Sequence, residues 1–307
     1  MKKFSLLFCL IFISFGLLGS HMAGGEIWYE YTGDANNPYK YRVWLQFYRD
    51  VTGIAAPMNE EISVKSSCFP DQCVNLIYAP FTLEPGSDTA YGSVAGSILT
   101  PDLEECVDVN SGGTFVQTEV YRFYADVTLD GTCHDWTFGF NENARNPNSN
   151  LTGAGTFYIE AQLNNTLGPN SGPVFVNPAA KSFCVGSPFV WSQAAVEPDG
   201  DSLYFDFGSP LTSADACPTN PNPMQFAAGY SKTQPMVTSS GISINHGKGT
   251  FRFTPSQPEV DVINVTVTEY RWDSLSGQYL VNGTSVRDLQ VPIMEPMQGF
   301  SRSWSTT

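Results

Sequence analysis

The sequence predicts an all-β chain of many short strands, and three features carry that prediction. Tyr39, Tyr41, Val43, Leu45 and Phe47 alternate with Lys40, Arg42, Trp44, Gln46 and Tyr48, the period-2 pattern of a strand with one face on a core. Charged residues are only 15% of the chain, aromatics reach 13%, and 27 glycines and 21 prolines punctuate it, a mixture suited to strands joined by turns. No segment beyond the leader carries the apolar period of a helix.

The leader comes first. Met1-Lys2-Lys3 precedes an apolar run over residues 4–19, too short for a membrane anchor, so residues 1–20 are expected to be a signal peptide with the mature chain starting near His21. The one cysteine there, Cys9, lies inside the apolar run and not at the junction that lipidation uses. The expected product is secreted or held at a cell surface, without membrane insertion.

A strand over 26–31 is expected to pair with 39–48 as a hairpin across the turn-rich 33–38. Further strands are expected at 61–65, 74–78, 118–129, 136–140 and 156–163, most of them ended by Gly, Pro, Asn or Asp. Residues 164–178 (NNTLGPNSGPVFVNP) lack alternation and form the expected domain boundary. Beyond them, strands are expected at 189–196, 203–207, 241–244, 249–254, 262–270, 278–281 and 285–291, with a long surface loop at 211–229 and a loosely held tail over 297–307. The expected architecture is two tandem Ig-like β-sandwich domains, residues 21–168 and 169–296.

Charge and cysteines narrow the partners and the compartment. A formal charge of −15 argues against nucleic acid and anionic lipid, and favours cations. Without Cys9, the cysteines Cys68, Cys73, Cys106, Cys133, Cys184 and Cys217 form an even set suited to disulfides in an exported chain. They allow about fifteen pairings; pairing of sequence neighbours would join Cys68 to Cys73, Cys106 to Cys133 and Cys184 to Cys217. Zinc is the rival use, but a Cys-x4-Cys pair without nearby histidines is a weak zinc pattern.

Taken together, several stretches resemble the amino-terminal regions of large surface proteins of gliding Bacteroidetes, proteins that carry polycystic-kidney-disease-type repeats and a gliding-motility-associated carboxy-terminal domain. They are His21-Met22-Ala23-Gly24-Gly25-Glu26-Ile27 with Tyr29, Phe47-Tyr48-Arg49-Asp50, Cys133-His134-Asp135-Trp136, Ala144-Arg145-Asn146, Leu163-Asn164-Asn165-Thr166 and Pro173-Val174-Phe175. Cys184, Pro198-Asp199-Gly200-Asp201-Ser202-Leu203, Glu269-Tyr270-Arg271 and Arg287-Asp288-Leu289-Gln290 complete the series. The resemblance implies a surface-displayed β-sandwich array with roles in adhesion or gliding motility. Such relatives are longer and end in a sorting domain for type IX export, whereas this chain stops at Ser305-Thr306-Thr307, as a truncated or stand-alone version would.

The densest chemistry is Glu197-Pro198-Asp199-Gly200-Asp201, three carboxylates around a turn glycine. Hard oxygen donors so spaced suit a structural Ca2+, with Glu269 and Asp288 as the candidates to complete the shell. The bland alternative is an acidic turn in a chain acidic throughout. No catalytic residues are nominated: His21, His134 and His246 are scattered and build no nucleophile–base pair. A row drawn from Trp44, Tyr48, Tyr29 and Tyr31 is a second binding candidate, for sugar rings or a partner's side chains. The sequence therefore points to a non-catalytic adhesion or structural module that meets protein or glycan at a cell surface. A secreted carbohydrate-binding or carbohydrate-active protein, and a self-associating subunit of a surface filament, are the alternatives.

Overall fold

The computed structural model describes residues 22–50, 58–79, 97–99, 118–143, 145–153, 155–177 and 182–296. Residues 1–20, expected to be a signal peptide, with Cys9, and His21, Cys106 and residues 297–307 lie outside the described residues. The first half holds β1 (Met22–Tyr31), β2 (Lys40–Asp50), β3 (Glu61–Lys65), β4 (Gln72–Asn75), β5 (Ile77–Tyr78), β6 (Ser97–Leu99), β7 (Thr118–Thr128), β8 (Trp136–Glu142) and β9 (Phe157–Leu163). After a single 3-10 turn at Asn165–Leu167 come β10 (Val174–Phe175), β11 (Phe183–Cys184), β12 (Phe189–Ser192), β13 (Ala195–Val196), β14 (Ser202–Phe207) and β15 (Leu211–Ser213). The chain closes with β16 (Pro221–Pro223), β17 (Ser243–Asn245), β18 (Thr250–Phe253), β19 (Glu259–Asp273) and β20 (Gln278–Met294). The described chain is thus all-β and contains no α-helix.

The alternation over 39–48 is β2, antiparallel to β1 with Trp28 opposite Trp44, and the connecting loop closes by Thr32 N–H donating to the Lys40 carbonyl at 3.0 Å. Its outer face changes character along its length. Arg42 and Trp44 stay half-exposed, but Gln46 and Tyr48 are buried, because Tyr48 packs into the second core. The segments expected separately at 278–281 and 285–291 are one strand. Asn282-Gly283 reads as a turn pair in sequence, yet the register passes from Glu269 opposite Gly283 to Tyr270 opposite Val281, leaving Asn282 as the extra residue of a β-bulge. The expected loop over 211–229 also holds structure, β15 with β16, and Leu211 pairs with Tyr158 of β9.

Two large apolar cores form, beside a small cluster of Leu151, Met224 and Val262, and each draws residues from both sides of the connector. The first is built from β1, β2, β3, β7, β8 and β9 around Trp136, Phe138, Phe140 and Ile159; the second from β11, β12, β14, β18, β19 and β20 around Phe183, Phe205, Phe251 and Val265. Strand β20 serves both, giving Val286 to the first core and Leu289, Val291 and Ile293 to the second. One ladder, β4-β3-β8-β9-β20-β1-β2-β7-β5, runs through it, while β19 pairs with both β20 and β14. The connector is held rather than free. Asn165 and Asn170 are buried, with the Asn165 Oδ1 accepting from Cys133 N–H at 2.7 Å and Gly172 N–H donating to the Tyr29 carbonyl at 2.8 Å.

The disulfides differ from pairing by sequence neighbours. Cys68 bonds Cys133 and Cys73 bonds Cys217, and Cys184 is also disulfide-bonded. Cys68 sits in the turn after β3, beside Phe69, whose ring stacks on Trp136 at 5.4 Å near Cys133, whereas Cys73 lies within β4 opposite Ser63. The hairpin therefore directs the two thiols to different neighbours. The Cys73–Cys217 bond ties the 211–229 loop to the first half across 144 residues.

Charge also crosses between the halves. Arg287, fully buried on β20, donates from Nε to Glu26 Oε2 at 2.5 Å, from Nη1 to Gln193 Oε1 at 3.1 Å and from Nη2 to the Asn177 carbonyl at 2.8 Å, and lies 4.1 Å from the Phe175 ring centroid. The next residue, Asp288, pairs with Arg145 through both carboxylate oxygens. Removing one partner of such a pair strands a charge out of water, so Arg287→Met is expected to lower stability by about 3–5 kcal/mol. Urea unfolding at neutral pH measures it, and a loss below about 1 kcal/mol would mean that Glu26 finds other solvation.

Candidate functional site

The acidic turn lies between β13 and β14, and Gly200 at φ +86° lets the backbone reverse there. Glu197 folds back over its own turn, Oε1 accepting from Asp199 N–H at 3.0 Å and Oε2 from Asp201 N–H at 2.6 Å. Pairing of β14 with β19 sets Leu203 opposite Glu269, which carries Asp201 and Glu197 toward the Glu269 side chain. Carboxylate oxygens of Glu197, Asp201 and Glu269 lie within 4.8 Å of one another.

Two of the five residues nominated from sequence stand apart from that cluster. Asp199 points to the connector, its Oδ2 accepting from Ser171 N–H at 2.6 Å. Asp288 is five residues along β20 from Gly283, the residue opposite Glu269, a separation of about 17 Å at the usual strand rise. Its carboxylate is occupied by Arg145 and by Asn264 Nδ2 at 3.3 Å. Spacing in sequence could not reveal this, since Asp288 lies on the neighbouring strand but too far along it.

Glu269, nominated from sequence, is joined at the site by Asn170, Arg271, Asn282 and Gly283, which sequence reasoning passed over as site residues. Glu269 is its floor, fully buried; its Oε2 accepts from the Tyr29 hydroxyl at 3.2 Å and Asn170 Nδ2 at 3.1 Å, and its Oε1 has no hydrogen-bond partner. Asn282, displaced by the bulge, donates from Nδ2 to Asp201 Oδ2 at 2.8 Å, and its own Oδ1, also fully buried, has no partner. Arg271 grips Asp201 from Nε at 3.1 Å and Nη2 at 2.9 Å, and donates to the Pro169 carbonyl at 2.8 Å and Asn170 Oδ1 at 2.7 Å. Gly283 is required for this closeness: a Cβ there would sit 2.3 Å from the Tyr29 hydroxyl and 2.5 Å from Glu269 Oε2. The sequence signal for these residues was the Asn282-Gly283 pair between two strand-like runs, which reads equally well as a turn.

Burial, and then the charge on Glu197, pushes the Glu269 carboxyl up to about 8, against the donors Asn170 and Tyr29. Burial and the neighbouring Glu269 likewise push the Tyr29 hydroxyl well up. The donor set is oxygen throughout and suits hard cations rather than zinc or copper. The grouping of Cys68, Cys133, His134 and Asp135 offers no thiolates, because both sulfurs are in a disulfide.

A carboxylate pair also lies on β19. Glu259 accepts from Val237 N–H at 2.6 Å and the Tyr230 hydroxyl at 2.7 Å, while Asp261 is fully buried and neither of its oxygens has a partner. Burial, then the charge of Glu259, pushes Asp261 up to about 9. The folded chain thus binds a proton that the unfolded chain releases near pH 4, so this contribution to stability is full below that pH and is lost as pH rises toward 9. Asp261→Asn is expected to flatten the fall in stability between pH 5 and 8.5 by about 1.4 kcal/mol per pH unit, measured by urea unfolding. An unchanged slope would place the ionisation elsewhere.

The aromatic candidate takes a different membership from the one expected. Tyr29 and Tyr48 are buried and Tyr31 packs on the first core, so only Trp44 remains on the open face. Trp28, Trp44, Tyr124 and Ile77 are directly opposite one another across β1, β2, β7 and β5. Trp28 and Trp44 are near-parallel at 6.2 Å, Trp44 and Tyr124 are 5.4 Å apart, and Ile77 is 53% exposed. Arg42 lies 4.4 Å from the Tyr124 ring centroid and is paired with Asp126 at 2.8 Å; Arg122 lies 6.0 Å from Trp28.

No protein-family profile matches the chain, nor does any curated protein or solved structure. Among the described residues no helix is long and apolar enough to cross a membrane.

Proposed function

We propose that this chain is a non-catalytic adhesion or structural module displayed outside the cell, built as two Ig-like β-sandwich units. The observation that carries the adhesion reading is the half-exposed row Trp28, Trp44, Tyr124 and Ile77 on an outer sheet face. An outer face normally carries polar residues, and an aromatic row across four strands offers flat apolar area at low entropic cost, with cations and carboxylates along its edge. Protein or glycan at a cell surface is the partner class. The disulfides support an oxidising compartment, and with the signal-like leader they favour secretion or surface display. The resemblance to gliding Bacteroidetes surface proteins supports the same assignment. A carbohydrate-binding reading rests on the same row, since sugar rings stack on aromatic faces. A surface filament would use the row, or exposed sheet edges, for self-association.

Trp28→Ala with Trp44→Ala is the direct test. The parent protein is expected to bind a defined set of glycans on an array, or cultured cells, and the double variant to lose at least tenfold in binding while keeping its far-ultraviolet circular dichroism. Equal binding by the folded variant would overturn the row as the adhesive surface. Sedimentation across a wide concentration range separates the filament reading, for which the parent must self-associate and the variant must not.

A further inference from the structure

We propose that Glu197, Asp201, Glu269 and Asn282 form a binding site for one calcium ion, with Asp199 and Asp288 outside the ligand set. The inference goes beyond the adhesive row, which lies on another face and shares none of these residues. It rests on two independent observations.

The first is geometric. Two oxygens on opposite sides of a calcium ion with bonds of about 2.3–2.6 Å are about 5 Å apart at most, so donors that share an ion must all lie within that span. The Glu197, Asp201 and Glu269 oxygens do, at 4.8 Å or less. The second is the pair of orphaned oxygens. Glu269 Oε1 and Asn282 Oδ1 are both fully buried without a hydrogen-bond partner, on side chains that already touch the cluster. A buried polar oxygen left unmatched costs about 1–3 kcal/mol, and here two belong to side chains of one cluster. The bulge is what turns Asn282 toward them.

Charge and access agree with a divalent ion. The carboxyl groups of Glu197, Asp201 and Glu269 outnumber the one cation beside them, Arg271. Glu197 is half-exposed, which opens the site to solvent for ion entry and for water ligands, while the nearly buried Asp201 side chain lines its wall and Glu269 closes its floor. An irregular set of carboxylates and an amide carbonyl suits calcium, which accepts six to eight oxygens in flexible geometry, better than magnesium, which demands an octahedron and keeps its water. The ion would join β1 through Tyr29, the connector through Asn170, the turn before β14, and β19 with β20. The charged and titratable groups facing Glu269 from these elements are Tyr29, Glu197, Asp201 and Arg271.

The experiment is calorimetric titration of calcium chloride into the chelator-treated, oxidised chain at pH 7, with thermal unfolding in calcium and in chelator. The expected result is one saturable site and a higher Tm with calcium. Glu269→Gln keeps an acceptor for Tyr29 and Asn170, and is expected to weaken calcium more than tenfold and abolish the Tm shift. Asp201→Asn, in the half-exposed turn, is the second variant should Glu269→Gln fail to fold, and is held to the same weakening. Absence of both heat and Tm shift in millimolar calcium overturns the proposal, as does unchanged binding in the folded variant or tighter binding of magnesium. The Trp28→Ala, Trp44→Ala variant is expected to bind calcium as the parent does, so loss of adhesion and loss of the ion are read separately.

Discussion

Arg287 and Asp288 sit side by side on β20, each out of water and each paired with an opposite charge from the first half of the chain, Glu26 and Arg145. Neither pair is a source of large net stability, because taking charges out of water costs about as much as their attraction returns. Their effect is on arrangement. A slip of one residue between β20 and β1 would turn Arg287 away from Glu26 and leave both charges unmatched, so the register of Glu26 opposite Arg287 is enforced by the penalty for every other register. The cation–π contact with Phe175 and the bond to the Asn177 carbonyl extend the same constraint to the strand that opens the second half.

That register determines what happens at the other end of β20. With Glu26, Gly25 and Gly24 paired to the middle of the strand, residues 283–285 reach β9, and the bulge at Asn282 falls beside Tyr29, near the end of β1, where the connector crosses. Tyr29, Asn170, Glu269 and Asn282 meet there because one long strand is shared by two cores. The acidic turn is local chemistry, but the oxygens it faces come from three distant stretches of chain. A linker of Asn, Gly and Pro would ordinarily be solvated; here Asn165 and Asn170 are drawn in because the backbone and carboxylate groups exposed at this junction need partners.

Much of the strand layout was legible because period-2 alternation is imposed by one-sided burial, and residues 26–31, 39–48, 61–65 and 136–140 report it directly. Legibility failed where a second surface covered the strand or where pairing spanned a large separation. Asn282-Gly283 carries the composition of a turn, and only the register with β19 makes it a bulge. Trp28 belonged to a strand already expected, yet its place in the aromatic row depends on lying opposite Trp44 and on Tyr124 joining from β7. The short strands β10, β11, β15 and β16 were missed because two or three residues hold no period.

The sequence by itself determined the all-β class, the main hairpin, the acidic turn as the densest oxygen-donor chemistry and a cysteine set suited to disulfides. These are local matters of side-chain alternation, turn propensity and composition, which neighbouring residues decide among themselves. Only the tertiary structure decided that Cys73 reaches Cys217, that Asp288 belongs to Arg145, and that Glu269 and Asn282, each with an unpartnered buried oxygen, meet Glu197 and Asp201. Each of those outcomes depends on strand register across more than sixty residues of sequence or on a single bulge. Register is set by the combined burial and charge pairing of the whole sheet, which no local pattern encodes.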